Sequence, residues 1–387
     1  MRPPDRVTAA LRDRPRPVCA YVYDTAALRT RTAAVRAALP PGTTLLYAVK
    51  ANGHPDVVRT LAAGCDGLEV ASGGELARAV AAGARRIVFG GPAKTDAELA
   101  AAVAAGAQVN VESALELRRL DRAAAAAGTV ADVAVRVNRA RSAVTGSHAM
   151  TGTPTPFGVD EAGLPQVLAL ARTLPAVRVT GFHLHAVSNN RDAAAHAAFV
   201  ADALDWSVRA ADRHGVDLRL VNAGGGLGVD YRSAATLDLD VLRAGLAAVD
   251  VPAGVDLILE PGRILAADAG WYAAEVLDLK HTHGRTFAVL RGGTHHFRLP
   301  AAWGYDHPFT VLPVEAWPYP WPRPEVRDAH VDAVGELCTP RDVLARDQPV
   351  DRLRVGDVLV FARTGAYGWD ISHHDFLRHD PPEFLVL

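Results

Sequence analysis

Between about residues 45 and 262 the chain repeats one pattern. A short apolar run is followed by an Ala-rich stretch whose apolar positions return every three or four residues. The runs end near Lys50, Val70 (Gly67-Leu68-Glu69-Val70), Phe89 (Ile87-Val88-Phe89), Val111, Asn138 (from Val133), His185 (from Val179), Asn222 (from Leu218) and Glu260 (from Leu257). Such runs, bounded by turn residues, predict buried strands. The amphipathic stretches 54–63, 73–82, 95–105, 113–127, 161–174, 192–214 and 238–249 predict helices between them. Eight strands alternating with helices make an α/β fold, and their number predicts a (β/α)8 barrel. An open doubly wound sheet is the competing arrangement, although no GxGxxG follows the first run.

Past about residue 265 the helical period fades. Short β-like runs replace it (Phe287-Ala288-Val289-Leu290, Val331 to Leu337, Val358-Leu359-Val360-Phe361), separated by Pro- and Gly-rich stretches such as 317–324. The opening run from Pro17 to Asp24 is also strand-like, and Asp24 or Thr25 is placed to cap the helix after it. The expected organisation is therefore an N-terminal segment 1–25 joining a β domain, a barrel over 26–265, and a C-terminal β domain over 266–387.

Active sites of such barrels collect at the C-terminal ends of the strands. The residues there are Lys50, Glu69, Arg136-Val137-Asn138, His183, His185, Asn222 with its glycines, and Glu260-Pro261-Gly262-Arg263. Ionisable groups at strand ends with apolar strand interiors describe a site. Lys50 stands out because only three of the 41 basic residues are lysines. An amine half desolvated at a strand end favours its nucleophilic free base, and arginine in its place could not form a Schiff base. Gly224-Gly225-Gly226 lets backbone N–H groups converge on an anion with no Cβ in the way, and Arg263 adds a fixed positive charge.

Composition narrows the class. A hydrophobic fraction of 49% with a net charge of −2 describes a soluble globular protein and gives no electrostatic case for nucleic acid or an anionic membrane. The charged N-terminus lacks the apolar core of a signal peptide, and no uninterrupted apolar stretch reaches bilayer length. Cys19, Cys65 and Cys338 are odd in number and have no metal-type spacing, which fits a reducing cytoplasm. The His-rich pieces His281/His283, His295-His296 and His373-His374 have no carboxylate or cysteine at diagnostic spacing, so no metal is expected.

Taken together, Tyr47-Ala48-Val49-Lys50-Ala51-Asn52, Gly181-Phe182-His183-Leu184-His185, the glycine run and Glu260-Pro261-Gly262-Arg263 resemble the fold-type III pyridoxal-phosphate enzymes. These are the ornithine, arginine and diaminopimelate decarboxylases, related to alanine racemase. The resemblance covers nearly the whole chain, with the motifs in the family's order. It implies that Lys50 carries pyridoxal 5'-phosphate covalently, that His185 stacks on its ring, and that Glu260 pairs with the ring nitrogen. Gly224, Gly225, Gly226, Ser188, Arg263 and Tyr367 would hold the phosphate, with Glu69, Arg136 and Gly262 shaping the surroundings. Gly335 to Asp342 resembles the element whose cysteine, here Cys338, reaches the partner subunit's site, which implies a homodimer. Cys338 would reprotonate Cα. His183 and His185 alternate on one strand, so one is expected to face the site and the other to be a satisfied core histidine.

Two departures bear on substrate. Basic amino acid decarboxylases follow the motif cysteine with Asp or Glu, whereas Thr339 stands here. In place of His-x-Gly-Ser the chain has His185-Ala186-Val187-Ser188-Asn189-Asn190-Arg191-Asp192. Both features resemble the subgroup of carboxylate siderophore biosynthesis. The implied substrate is a small amino acid or its citryl conjugate, such as citryl-2,3-diaminopropionate, touched by Thr339, Asp342 and Arg298. A diaminopimelate- or ornithine-type decarboxylase, a racemase on the same cofactor and a non-catalytic homologue are the alternatives.

Overall fold

The computed structural model describes residues 2–141, 144 and 148–387. They form two compact units. One comprises Arg29–Val229 and Thr236–Leu265, and the other comprises the N-terminal residues through Leu28, Asp230–Ala235 and Ala266–Leu387.

The first unit is a closed (β/α)8 barrel. Its strands are Thr44–Ala48, Gly67–Val70, Ile87–Phe89, Gln108–Val111, Ala131–Asn138, Val177–His183, Leu220–Asn222 and Asp256–Leu259. Each pairs in parallel with the next, and the eighth returns to the first with Ile258 opposite Thr44 and Leu259 opposite Leu45. That last pairing excludes the open sheet. Leu46, Val88, Ala134, Leu220 and Ile258 fill one interior cluster, each burial stabilising the fold by roughly 1.5–3 kcal/mol for the larger side chains. Helix starts carry matching signals. Ser72 and Ser113 accept the Glu75 and Glu116 N–H groups, and Thr95 with Glu98 forms a reciprocal capping box, each cap contributing about 1 kcal/mol.

Several strands stop short of the ends expected from the apolar runs. The first ends at Ala48, and Lys50 lies in the 3-10 turn Val49–Ala51. The sixth ends at His183 and the eighth at Leu259, so His185 and Glu260 lie just beyond. Val49 and Ala186 remain buried beyond these strand ends. Hydrophobicity reports burial, and here burial outlasts pairing.

At the opposite mouth of the barrel, Arg86 ties four strands together. It donates to Thr44 Oγ1 (3.3 Å), to Gln108 Oε1 (3.2 Å) and to Asp256, while Thr44 Oγ1 donates to Asp256 Oδ1 (2.6 Å).

The second unit is an eight-stranded sheet centred on Gly270–Thr282. This strand pairs with Cys19–Tyr23, Val358–Ala362 and Arg285–Leu290, all antiparallel. The N-terminal strand is thus part of the sheet, with Cys19 opposite Ala274 and Tyr23 opposite Gly270. Val18, Ala20, Val22, Trp271, Ala273, Val358 and Val360 build its core. Asp24 Oδ1 accepts the Ala27 N–H at 2.9 Å, capping the helix that follows. The excursion 230–235 belongs here although its place in sequence lies inside the barrel region. Tyr231 stacks on Tyr305 at 5.8 Å, and the Arg363 guanidinium donates to the Ser233 and Ala235 carbonyls. Among the described residues no helix is long and apolar enough to cross a membrane.

Candidate active site

The C-terminal mouth of the barrel gathers its ionisable groups from six of the eight strands. The turn after the first strand presents Lys50, whose Nζ donates to both oxygens of Glu69 on the second strand, at 2.9 and 3.1 Å. Glu69 is 4% exposed, so this carboxylate is almost wholly removed from water and fixes the direction of the amine.

Facing it, Glu260 is buried behind the eighth strand. Asn222 Nδ2, at the end of the seventh, donates to its Oε1 at 2.5 Å, and His183 Nε2 lies 3.5 Å from its Oε2. Burial first and the negative charge of Glu69 second push the Glu260 carboxyl up to about 7. The His183 imidazole is held well below its usual range by burial and by Arg136, and neither of its ring nitrogens has a hydrogen-bond partner. The expected satisfied core histidine is therefore an unsatisfied one beside the carboxylate. The alternation argument fails because the strand ends at His183. His185 sits past the ladder with its ring centroid 6.3 Å from that of His183, and its Nδ1 accepts the Gly225 N–H at 3.0 Å. Burial and the charges of Arg136 and Lys50 hold His185 neutral as well.

The glycine run has no room for side chains. A Cβ on Gly224 would meet His185 Nδ1 at 2.5 Å, one on Gly225 the Glu260 carbonyl at 2.5 Å, and one on Gly226 the Val187 carbonyl at 2.7 Å. Gly224 and Gly226 also have φ of 70° and 108°, which favour glycine. Arg263 Nη2 approaches Ser188 Oγ at 3.5 Å nearby. Gly262 packs where a Cβ would lie 2.8 Å from Ala51, so its smallness seats the loop under the Lys50 turn.

Arg136 is buried and paired. Its guanidinium donates to Glu112 Oε1 at 2.9 Å and lies over the Phe157 ring at 4.6 Å. Glu112 also accepts the Gly91 and Gly158 N–H groups, both at 2.9 Å. Glu112 and Asn222 are site residues that sequence reasoning left without roles. Their signal was a polar side chain at the end of a buried strand.

The remaining expected residues lie in the sheet unit. Cys338 is exposed on the loop after strand Glu325–Val334. Asp342, expected as a substrate contact, is 2% exposed, and its carboxylate accepts the Leu337 and Thr294 N–H groups at 2.9 and 2.6 Å. Its oxygens are committed to the backbone, so it shapes the Cys338 loop. Thr339 and Arg298 line one cleft of about 510 Å3. Tyr367 is half-buried with left-handed backbone (φ 55°), a strained conformation for a bulky residue.

The barrel residues suit pyridoxal phosphate. Asn190 Nδ2 and His196 Nδ1 are buried without partners against the glycine cradle. Asn190 N–H bonds the Gly226 carbonyl at 2.8 Å, and His196 Cε1 lies 3.6 Å from where a Gly226 Cβ would be. A raised carboxyl at Glu260 is what a protonated ring nitrogen would restore to its charged form.

The comparisons agree with this geometry. Residues 25–267 match the family model of the pyridoxal-dependent decarboxylases, pyridoxal binding domain. The chain belongs to this family, and it is a pyridoxal-phosphate-dependent amino acid decarboxylase. It is 38% identical to the 2-[(L-alanin-3-ylcarbamoyl)methyl]-2-hydroxybutanedioate decarboxylase of Staphylococcus aureus, an alignment spanning 100% of this chain and 98% of that one. It is also 33% identical to the diaminopimelate decarboxylase of Vibrio cholerae over 88% of this chain and 81% of the other. Among solved structures, diaminopimelate decarboxylase of Helicobacter pylori complexed with L-lysine superposes with a TM-score of 0.84 at 26% identity, covering 96% of this chain and 91% of that one.

Proposed function

We propose that this decarboxylase acts on an amino acid joined to a polycarboxylate, citryl-2,3-diaminopropionate being the leading candidate, in building a carboxylate siderophore. The observation that carries the reading is Thr339. Directly after Cys338 stands a neutral hydroxyl, where a substrate with a distal ammonium would call for a carboxylate. The end-to-end likeness to the Staphylococcus aureus relative, whose name describes a citrate amide of that kind, supports it.

Bound through Lys50, pyridoxal phosphate supplies an electron sink conjugated to the substrate's Cα. The chain's own residues do the rest. Glu69 orients Nζ of Lys50, and the glycine cradle with Ser188 and Arg263 would hold the phosphate, to which the family resemblance adds Tyr367. Glu260 would pair with the ring nitrogen and keep a proton on it, which would strengthen the sink. His185, fixed by the Gly225 N–H, would pack against the ring. Cys338 Sγ would donate the proton that replaces the lost CO2 on Cα. We also infer a homodimer in which Cys338 serves the partner chain. This rests on the family resemblance and on the exposure of that thiol. Three free cysteines support a reducing, cytoplasmic setting.

Competition assays following CO2 release test the substrate. The citryl conjugate should exceed lysine, ornithine and diaminopimelate in kcat/KM. A tenfold or greater advantage for ornithine or diaminopimelate would overturn the reading.

A further inference from the structure

We propose that His183 is a positioning residue for Glu260. Its neutral ring donates from Nε2 to Oε2 of that carboxylate and so holds it ionised against the cofactor's ring nitrogen. This deepens the role given to Glu260 above and rests on it. The pairing is built into the barrel. His183 is the last residue of the sixth strand, with Arg136 of the fifth and Asn222 of the seventh directly opposite it. Its Nε2 lies 3.5 Å from Glu260 Oε2, and the two side chains are 5% and 4% exposed. A small turn of the ring brings the pair to hydrogen-bond geometry.

The two oxygens of Glu260 differ in their partners. Asn222 Nδ2 donates to Oε1 at 2.5 Å, whereas among the described residues Oε2 accepts no hydrogen bond. The neighbouring groups are committed elsewhere. Arg136 donates to Glu112, and Lys50 Nζ donates to both oxygens of Glu69. His185 accepts the Gly225 N–H at its Nδ1. His183, by contrast, has both ring nitrogens buried without a hydrogen-bond partner. A buried N–H with no acceptor is costly, so the ring proton belongs on the nitrogen that approaches one. That nitrogen is Nε2, and its acceptor is Glu260 Oε2.

Glu260 needs such a donor. Burial and the charge of Glu69 favour its protonated form, and only the ionised form can pair with a protonated ring nitrogen. A hydrogen bond to the carboxylate opposes that shift, as the charges of Lys50 and Arg136 also do. The donor's own charge matters as well. Burial, with Arg136, His185, Lys50 and Lys94 around it, holds the His183 ring well below its usual range and therefore neutral. A lysine or arginine in its place would set a second cation beside the protonated ring nitrogen and repel it. A neutral imidazole steadies the carboxylate without competing for its charge.

The test compares His183→Leu, which keeps bulk alone, with His183→Gln, which keeps an N–H donor. In the cofactor-free protein, thermal melts set wild type and each variant against its own Glu260→Gln derivative. The pH at which the derivative's advantage levels off marks the ionisation of Glu260. It should lie about one pH unit or more higher in His183→Leu than in wild type, the worth of one charge-assisted hydrogen bond. His183→Gln should return it most of the way. The same levelling pH in His183→Leu and wild type would overturn the proposal, and so would equal shifts in both variants. Where leucine unfolds the barrel, His183→Phe, a ring without a donor, serves the same comparison. In the holoenzyme, His183→Leu should lower kcat by about tenfold with KM within about twofold, and His183→Gln should recover most of that loss. A rise in KM with kcat intact would place His183 against the substrate and sink the positioning role. Should Glu260→Gln leave the holoenzyme's absorbance and turnover unchanged, the ring-nitrogen role of Glu260 falls, while the cofactor-free titration still decides its bond to His183.

Discussion

Lys50 Nζ and the carboxylate of Glu69 meet at 2.9 and 3.1 Å across the first two strands, an amine aimed by a buried acid. The other two lysines have different surroundings. Lys94 is buried, with its Nζ bonded to the Gly91 and Asn110 carbonyls and to Glu116, and Lys280 sits on the sheet unit near Asp278. Borohydride reduction of the holoenzyme followed by peptide mapping should place the pyridoxyl group on Lys50. Lys50→Ala should lose the cofactor's visible absorbance and nearly all turnover. Label recovered on Lys94 or Lys280 would refute the assignment.

Glu260 makes the cofactor-free protein sensitive to pH. Its carboxyl is raised to about 7, above the usual carboxylate value near 4.3, so the stability it contributes is full below the lower value and is lost as pH rises toward the upper one. Glu260→Gln removes this titration. In thermal melts without cofactor, its advantage over wild type should widen between about pH 4.5 and 7, by up to roughly 1.4 kcal/mol per pH unit, and then level off. A difference constant with pH would mean that Glu260 is ionised throughout.

Lys94 and Glu116 form a buried pair at 2.6 Å, with Lys94 3% and Glu116 4% exposed. Removing one partner leaves the other uncompensated. Lys94→Met should therefore cost about 3–5 kcal/mol in chemical denaturation, and adding Glu116→Leu should recover part of that loss. A loss below about 1 kcal/mol in the single variant would show that the pair contributes little.

The inferred dimer with shared sites can be tested by mixing. Inactive Lys50→Ala and inactive Cys338→Ala subunits, allowed to exchange, should regain up to about a quarter of wild-type activity, because one site in each mixed dimer is intact. No recovery with exchange demonstrated would argue that each site is built from one chain.

Much of this was legible in the sequence because barrel strands are short apolar runs and their ends carry the chemistry. The eight runs, the Lys50 and Glu260 positions and the glycine cradle follow from period, burial and the absence of Cβ. What escaped has physical causes. Strand Gly270–Thr282 changes from continuous burial in its first seven residues to exposure toward Thr282, so neither alternation nor a pure apolar run marks it. Strand Val343–Arg354 hides behind charged residues of a half-solvated face. The environment of His183 depends on where the ladder stops, and Asp342 looks like a ligand-facing acid until the backbone amides around it are known. The segment 230–235 is placed by Arg363 and Tyr305, more than seventy residues downstream, which no local pattern encodes.

The Arg86 knot at the far mouth has a consequence for how such a chain can change over generations. It links the first, third, fourth and eighth strands at the end opposite Lys50 and Glu260, so ring closure there depends on none of the side chains that do chemistry. Loops at the reactive mouth can drift, lengthen or exchange residues while the barrel stays shut. A lineage can in this way try new substrates on an unaltered chassis, and stabilising changes sought at the Arg86 end should leave turnover untouched.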